Sequence, residues 1–139
     1  MRILDTNVVS EIGRRNPDRK VIEFLTAQER HTTFITSITV FELCYGCAAL
    51  PQGKRRTGLE AANSRVFDEQ FEGRILGFGT EAARLCGTML AGSLAKGNNL
   101  NLADVQIASI AMEHGYALVT RDTSHFNHPG LKVINPWTD

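Results

Sequence analysis

Met1-Arg2-Ile3-Leu4-Asp5-Thr6-Asn7-Val8-Val9-Ser10 passes from a short apolar stretch through an acid, a hydroxyl and an amide into helical spacing. Residues 1–5 read as a buried strand, and a helix follows from Asn7 to about Arg15. A strand feeding straight into a helix is half of a βα unit, and the rest of the chain repeats the alternation. Pro17 restarts a second helix through Glu29, with Val21, Phe24, Leu25 and Gln28 at helical spacing. Thr32 to Thr36 is β-branched and aromatic, a strand, and a helix runs from Ser37 to Leu50 until Pro51-Gln52-Gly53 halts it.

Beyond that break, Lys54 to Phe71 is charged and amphipathic, with Leu59, Ala62, Val66 and Phe67 on one side. Ile75 to Phe78 is a short strand, and Thr80 is placed to cap a helix towards Lys96, stopped by Gly97. A helix from Asn101 to His114 ends at Gly115. Ala117 to Val119 is a strand, Arg121 to His128 a polar loop, and Leu131 to Ile134 a last strand. Short strands alternating with helices predict an α/β fold with a mostly parallel sheet of four to five strands and helices on both faces. The chain reads as one domain over residues 1–139. In such sheets ligands gather beyond the carboxyl ends of the strands, so chemistry is sought there.

Composition narrows the function classes. Charged residues at 22% and apolar ones at 42% exclude a disordered chain. No apolar run approaches the roughly 18 residues of a membrane span, and an acid at position 5 leaves no room for a secretory h-region. Cytoplasm is the expected location. Lys plus Arg and Asp plus Glu both number 15, so bulk charge alone does not suit a nucleic-acid binder. Cys44, Cys47 and Cys86 are expected as reduced, buried thiols; Cys44-x-x-Cys47 lacks the second ligand pair of a zinc site.

Four acids stand in unusual places. Asp5 closes the first strand, and Asp122, in Val119-Thr120-Arg121-Asp122-Thr123, follows a later one; each is a turn or cap residue, or a ligand at the binding edge. Glu42 fits a capping box as Thr39-x-x-Glu42, yet Ile38, Tyr45 and Gly46 are its helical neighbours, and a carboxylate on an apolar face is costly unless paired or bound to a cation. Asp104 follows Asn101 as a first-turn acid, but its helix is apolar nearly all round, which aims it into a polar cavity. Each acid has a structural explanation; together, at one edge of one sheet, they would repel unless a cation neutralised them. An all-oxygen set points to Mg²⁺ or Mn²⁺, and such a centre suits phosphodiester hydrolysis.

The chain resembles the PIN-domain ribonucleases along its whole length, and among them the VapC-type toxins of bacterial toxin–antitoxin pairs, nearest the FitB-like subgroup. The resemblance rests on Met1 to Ser10, Ser37-Ile38-Thr39-Val40-Phe41-Glu42-Leu43, Ala103-Asp104-Val105-Gln106-Ile107-Ala108, Thr120-Arg121-Asp122-Thr123 and Asn135-Pro136-Trp137, in that order. It implies a three-layer α/β/α fold and a Mg²⁺- or Mn²⁺-dependent endoribonuclease acting on tRNA or rRNA. It also implies silencing by a VapB-like antitoxin, a homodimer, and contact with operator DNA only through the antitoxin complex. The family's acidic quartet falls on Asp5, Glu42, Asp104 and Asp122, with Thr6 and Ser37 in support. His125 stands where many relatives carry an acid.

Lys54, Arg55 and Arg56, with Arg65 on the same helix, are candidates for RNA phosphates or a solvated face; Arg14, Arg15, Arg19 and Lys20 form a second cluster of the same kind. Trp137 is expected to pack on the sheet edge. The competing reading is a non-catalytic Mg-binding module of receiver-like or PIN-like fold that regulates partners or joins a DNA complex. If the quartet shares one pocket, 15 acids less those four leaves 11 against 15 basic residues elsewhere, a mildly basic remainder.

Overall fold

A computed structural model describes residues 1–98 and 100–139. Five strands form one sheet in the order β3-β2-β1-β4-β5: β1 is Arg2–Leu4, β2 Thr33–Thr36, β3 Ile75–Leu76, β4 Ala117–Val119 and β5 Val133–Ile134. All four pairings are parallel. The helices are α1 (Thr6–Ile12), α2 (Arg19–Thr26), α3 (Ser37–Ala48), α4 (Lys54–Arg65), α5 (Thr80–Ala95) and α6 (Leu102–His114). This order excludes the receiver-like alternative, whose sheet runs 2-1-3-4-5.

The period-two alternation of the strands builds three layers. Ile3, Phe34, Leu76, Leu118 and Val133 face a core shared with Ala82 of α5 and Ile107, Ala108, Ile110 and Ala111 of α6. Their neighbours Leu4, Ile35, Ile75, Val119 and Ile134 face the other core, with Val8 and Val9 of α1, Val21 of α2 and Phe71. Burying each such aliphatic side chain contributes about 1.5–3 kcal/mol, so a one-residue slip of β1 would exchange both cores at once. Among the described residues no helix is long and apolar enough to cross a membrane.

Several element ends differ from the sequence reading. Helix α1 stops at Ile12, and α2 begins only at Arg19, because the Asp18 side chain accepts from the N–H groups of Lys20 and Val21. The long charged helix breaks after Arg65 into a single π turn, Val66–Gln70, a change of winding that apolar periodicity does not register. Gly79, not Thr80, takes the N-cap position of α5, without a side-chain bond. The loop after β4 contains a 3₁₀ turn, Thr123–Phe126, which buries Phe126 in the first core. Gly115 closes α6 at φ 69°, the left-handed conformation a glycine adopts without a Cβ penalty. Of the cysteines, Cys47 and Cys86 are buried and Cys44 is exposed; all three are free.

Candidate metal centre

Strand β1 sets the geometry. Its register against β4 pairs Leu4 with Val119, which brings the next residues, Asp5 and Thr120, side by side. The Asp5 carboxylate is 3% exposed; Oδ1 accepts from the Thr6 N–H at 2.8 Å and Oδ2 from the Thr120 hydroxyl at 2.7 Å. Asp5 is thus the N-cap of α1, and its carboxylate also lines the cleft. Neither bond exhausts the oxygens' lone pairs.

Glu42 arrives from the second turn of α3. The capping box expected at Thr39 is absent, because α3 starts earlier: Thr36 caps it and accepts from the Thr39 N–H at 3.3 Å. Thr39 and Glu42 are tied instead through α1. The Thr6 hydroxyl donates to Glu42 Oε1 at 2.7 Å and lies 2.8 Å from Thr39 Oγ1. A hydroxyl carries one proton, so Thr39 is the donor to Thr6. Ser37, expected as a supporting hydroxyl, is the first residue of α3 and is not among the cleft's lining residues; the hydroxyl in contact with Thr6 is that of Thr39.

Asp104 sits in the first turn of α6, whose Asn101 cap accepts from the Ala103 N–H at 2.8 Å. Asp5, Glu42 and Asp104 line one cleft of about 410 Å³ with Thr6, Asn7 and Arg121. Asp122 follows β4 at the cleft's edge, where Asn7 Nδ2 donates to its Oδ2 at 3.4 Å. Asn7 also reaches Thr120 Oγ1 at 3.4 Å and accepts from the Arg121 N–H at 3.4 Å.

The acids feel one another. Burial pushes the Asp104 carboxyl up to about 6, Asp5, Glu42 and Asp122 push the same way, and His125 opposes them. Burial also raises Asp5, against the two hydrogen bonds that lower it, with repulsion from Glu42 and Asp122 added. Three further carboxylates around Asp104 make a strongly cation-attracting cleft. Among the described residues no three His, Cys, Asp or Glu side chains converge enough to enclose an ion unaided. The donors around the cleft are oxygens, a set that fits a hard cation such as Mg²⁺ better than zinc.

Comparison with known proteins places this architecture. The PIN domain profile matches residues 2–130. The chain belongs to the PIN domain family. It is 41% identical over 137 residues to the VapC ribonuclease Y4jK of Sinorhizobium fredii, covering 99% of this chain and 98% of that one. It is 34% identical to Toxin FitB of Neisseria gonorrhoeae over the whole of both chains. The crystal structure of FitAcB from Neisseria gonorrhoeae superimposes with a TM-score of 0.90 at 33% identity, covering both chains fully. DNA-bound VapBC from Salmonella typhimurium gives 0.77 at 26% identity over 97% of each.

This PIN domain gathers the four acids and Thr6 but not the basic cluster of α4. Lys54 and Arg55 are exposed outside the cleft. Arg56 is held at home, its Nε 2.9 Å from Glu60 and its Nη1 donating to the Leu50 carbonyl at 3.3 Å. Of the second cluster, Arg14 lines the cleft, whereas Arg19 is paired with Glu23 at 2.8 Å. The sequence reading missed Asn7, Thr120 and Arg121, although each stands within two residues of an acid it singled out. It also missed Glu11, 4% exposed at the cleft wall. Trp137 packs on the second core as expected and lines the cleft as well.

Proposed function

We propose that this PIN domain, acting as a single unit over residues 1–139, is a divalent-metal endoribonuclease toxin. Asp5, Glu42, Asp104 and Asp122 would hold Mg²⁺ or Mn²⁺. The observation that carries the reading is the convergence of Asp5, Glu42 and Asp104 on one cleft, with Asp122 at its edge, near enough that the other three raise the Asp104 carboxyl. When bound, the cation supplies the Lewis acidity that makes water nucleophilic at neutral pH and offsets charge at the phosphate.

The chain's own groups orient that centre. Thr6 N–H and Thr120 Oγ1 hold Asp5 from two sides, and the Thr39-to-Thr6 hydroxyl pair fixes Glu42. Asn7 bridges Thr120 and Asp122, so β1 and β4 move as one frame. No protein nucleophile is required. His125 acts on Asp104 in the sense opposite to the three acids, lowering its carboxyl. The similarity to a VapC ribonuclease, to FitAcB and to DNA-bound VapBC supports a VapB-like antitoxin as partner and operator contact through the complex. A homodimer in the cytoplasm, with tRNA or rRNA as substrate, completes the reading.

The test is cleavage of total cellular RNA by purified protein with Mg²⁺ or Mn²⁺, with EDTA, and as Asp5→Asn. Cleavage is expected only for the unmodified protein with metal. Equal cleavage by Asp5→Asn, or cleavage that survives EDTA, would refute the mechanism.

A further inference from the structure

A cleft lined by carboxylates must nonetheless admit a polyanion, and two arginines at its wall bear on that difficulty. They come from different elements, Arg14 just beyond α1 and Arg121 just beyond β4. Each is held by a residue that the metal centre does not use.

Arg14 is tethered by Glu11, its Nη1 3.3 Å from Oε1. The Glu11 side chain is 5% exposed and that of Arg14 is 65% exposed, so a buried carboxylate steadies a guanidinium that still faces solvent. The other Glu11 oxygen accepts from the Asp18 N–H at 3.2 Å, which fixes the loop between α1 and α2. An unpaired buried carboxylate would be costly, so Arg14 stays close to it.

Arg121 is held differently. Its guanidinium lies 5.1 Å from the centre of the Trp137 ring, a cation–π contact that steadies the plane without consuming its N–H donors. Its backbone is fixed at both ends, the N–H donating to Asn7 and the carbonyl accepting from Asn135 Nδ2 at 3.2 Å. Trp137 is itself set by its N–H, which donates to Asn135 Oδ1 at 2.9 Å. Among the described residues Arg121 forms no ion pair. Guanidinium groups with free, oriented donors are suited to phosphate oxygens.

We propose that Arg14 and Arg121 grip backbone phosphates flanking the scissile one, with Glu11 and Trp137 as the positioning residues that hold them. The inference rests on the ribonuclease reading and deepens it: the substrate is recognised at this cleft through its backbone charge. The Asn135–Trp137 segment then serves the site as a platform for Arg121, in addition to packing the sheet edge.

The test uses a short fluorescein-labelled single-stranded RNA. With Mn²⁺, Arg14→Met and Arg121→Met should each raise KM about tenfold while kcat changes less than about threefold. Arg14→Lys and Arg121→Lys should recover most of the loss. Trp137→Leu should raise KM like Arg121→Met, and the two together should cost no more than either alone, because Trp137 acts through Arg121. In an Asp104→Asn background, the slope of log affinity against log salt should fall by about 0.7 for each arginine removed. The arginine variants carry the decision should Trp137→Leu fold poorly. Unchanged KM and salt slope in both arginine variants, beside a wild type that cleaves, overturns this inference alone. A loss confined to kcat also overturns it. A wild-type protein that neither cleaves nor binds the RNA overturns it together with the ribonuclease reading.

Discussion

At the amino ends of β1, β2 and β3 stand Arg2, Arg30 and Arg74, and backbone carbonyls accept from two of them. Arg30 donates to the carbonyls of Glu69 and Gln70 at 2.8 and 3.2 Å, and Arg74 donates to those of Arg30, Thr33 and Gln70. Arg2 reaches Thr32 Oγ1 at 3.1 Å, with its Nε left buried and unpartnered. At the carboxyl ends hydroxyls and amides hold Asp5, Glu42 and Asp122, and no arginine forms an ion pair with these three or with Asp104 among the described residues. One end uses its charges to fasten loops to the sheet. The other leaves its four acids without a counter-charge, and burial and mutual repulsion raise the carboxyls of Asp5 and Asp104.

Substitutions at the two ends should therefore fail in different ways. The largest effect is expected at the acidic end: Asp104→Asn should lower metal-dependent RNA cleavage at least about 10³-fold, measured as kcat/KM, with the fold intact by circular dichroism. At the arginine end the sign reverses. Arg74→Ala should cost about 2–3 kcal/mol through its lost carbonyl bonds and lower Tm by roughly 6–10 °C, leaving cleavage per folded molecule unchanged. If Arg74→Ala abolished activity without moving Tm, the division between the ends would collapse.

A smaller effect sharpens the contrast. Asp104 has its folded-state pKa raised from 3.8 to about 6. Its protonated form therefore favours the folded state below about pH 4, and that contribution is lost as pH rises through about 6. In metal-free protein at pH 7, Asp104→Asn should stabilise, by about 1–2 kcal/mol after allowing for its half-exposed position. The gain should vanish near pH 3.5 in parallel thermal melts, and a gain independent of pH would show that repulsion is not its source. Smallest of all, Glu60→Gln, which breaks the exposed pair with Arg56 on α4, should change stability by less than about 0.5 kcal/mol in urea titration.

The acidic end was the more legible in sequence because carboxylates contradict their surroundings. Asp5 after Ile3-Leu4, and Asp104 in a helix holding Val105, Ile107 and Ala108, announce a polar cavity inside an apolar frame. The layer order was legible for the same reason, since paired apolar residues such as Ile3-Leu4 and Leu118-Val119 need cover on both faces. What escaped depends on partners far apart in the chain. Nothing local tells that Trp137 lies under Arg121, or that Glu11 is buried while Glu23 and Glu60 are not. The placement of Lys54-Arg55-Arg56 was equally hidden: Lys54 and Arg55 lie exposed outside the cleft, and Arg56 bonds Glu60 and the Leu50 carbonyl. Capping also shifted, since Thr36 starts α3 one turn before the box expected at Thr39.

The central place of β1 between β2 and β4 imposes an order in time. Asp5 is made before the hydroxyl that orients it, on Thr120, and before its neighbour Asp122, which come more than a hundred positions later. At about 5–20 residues per second, synthesis separates them by roughly 6 to 23 s. During that interval β1 has no β4 to pair with and the cleft has no far wall. A chain that stops before β4 therefore has no completed cleft, and the site forms only once Thr120 and Asp122 have been made.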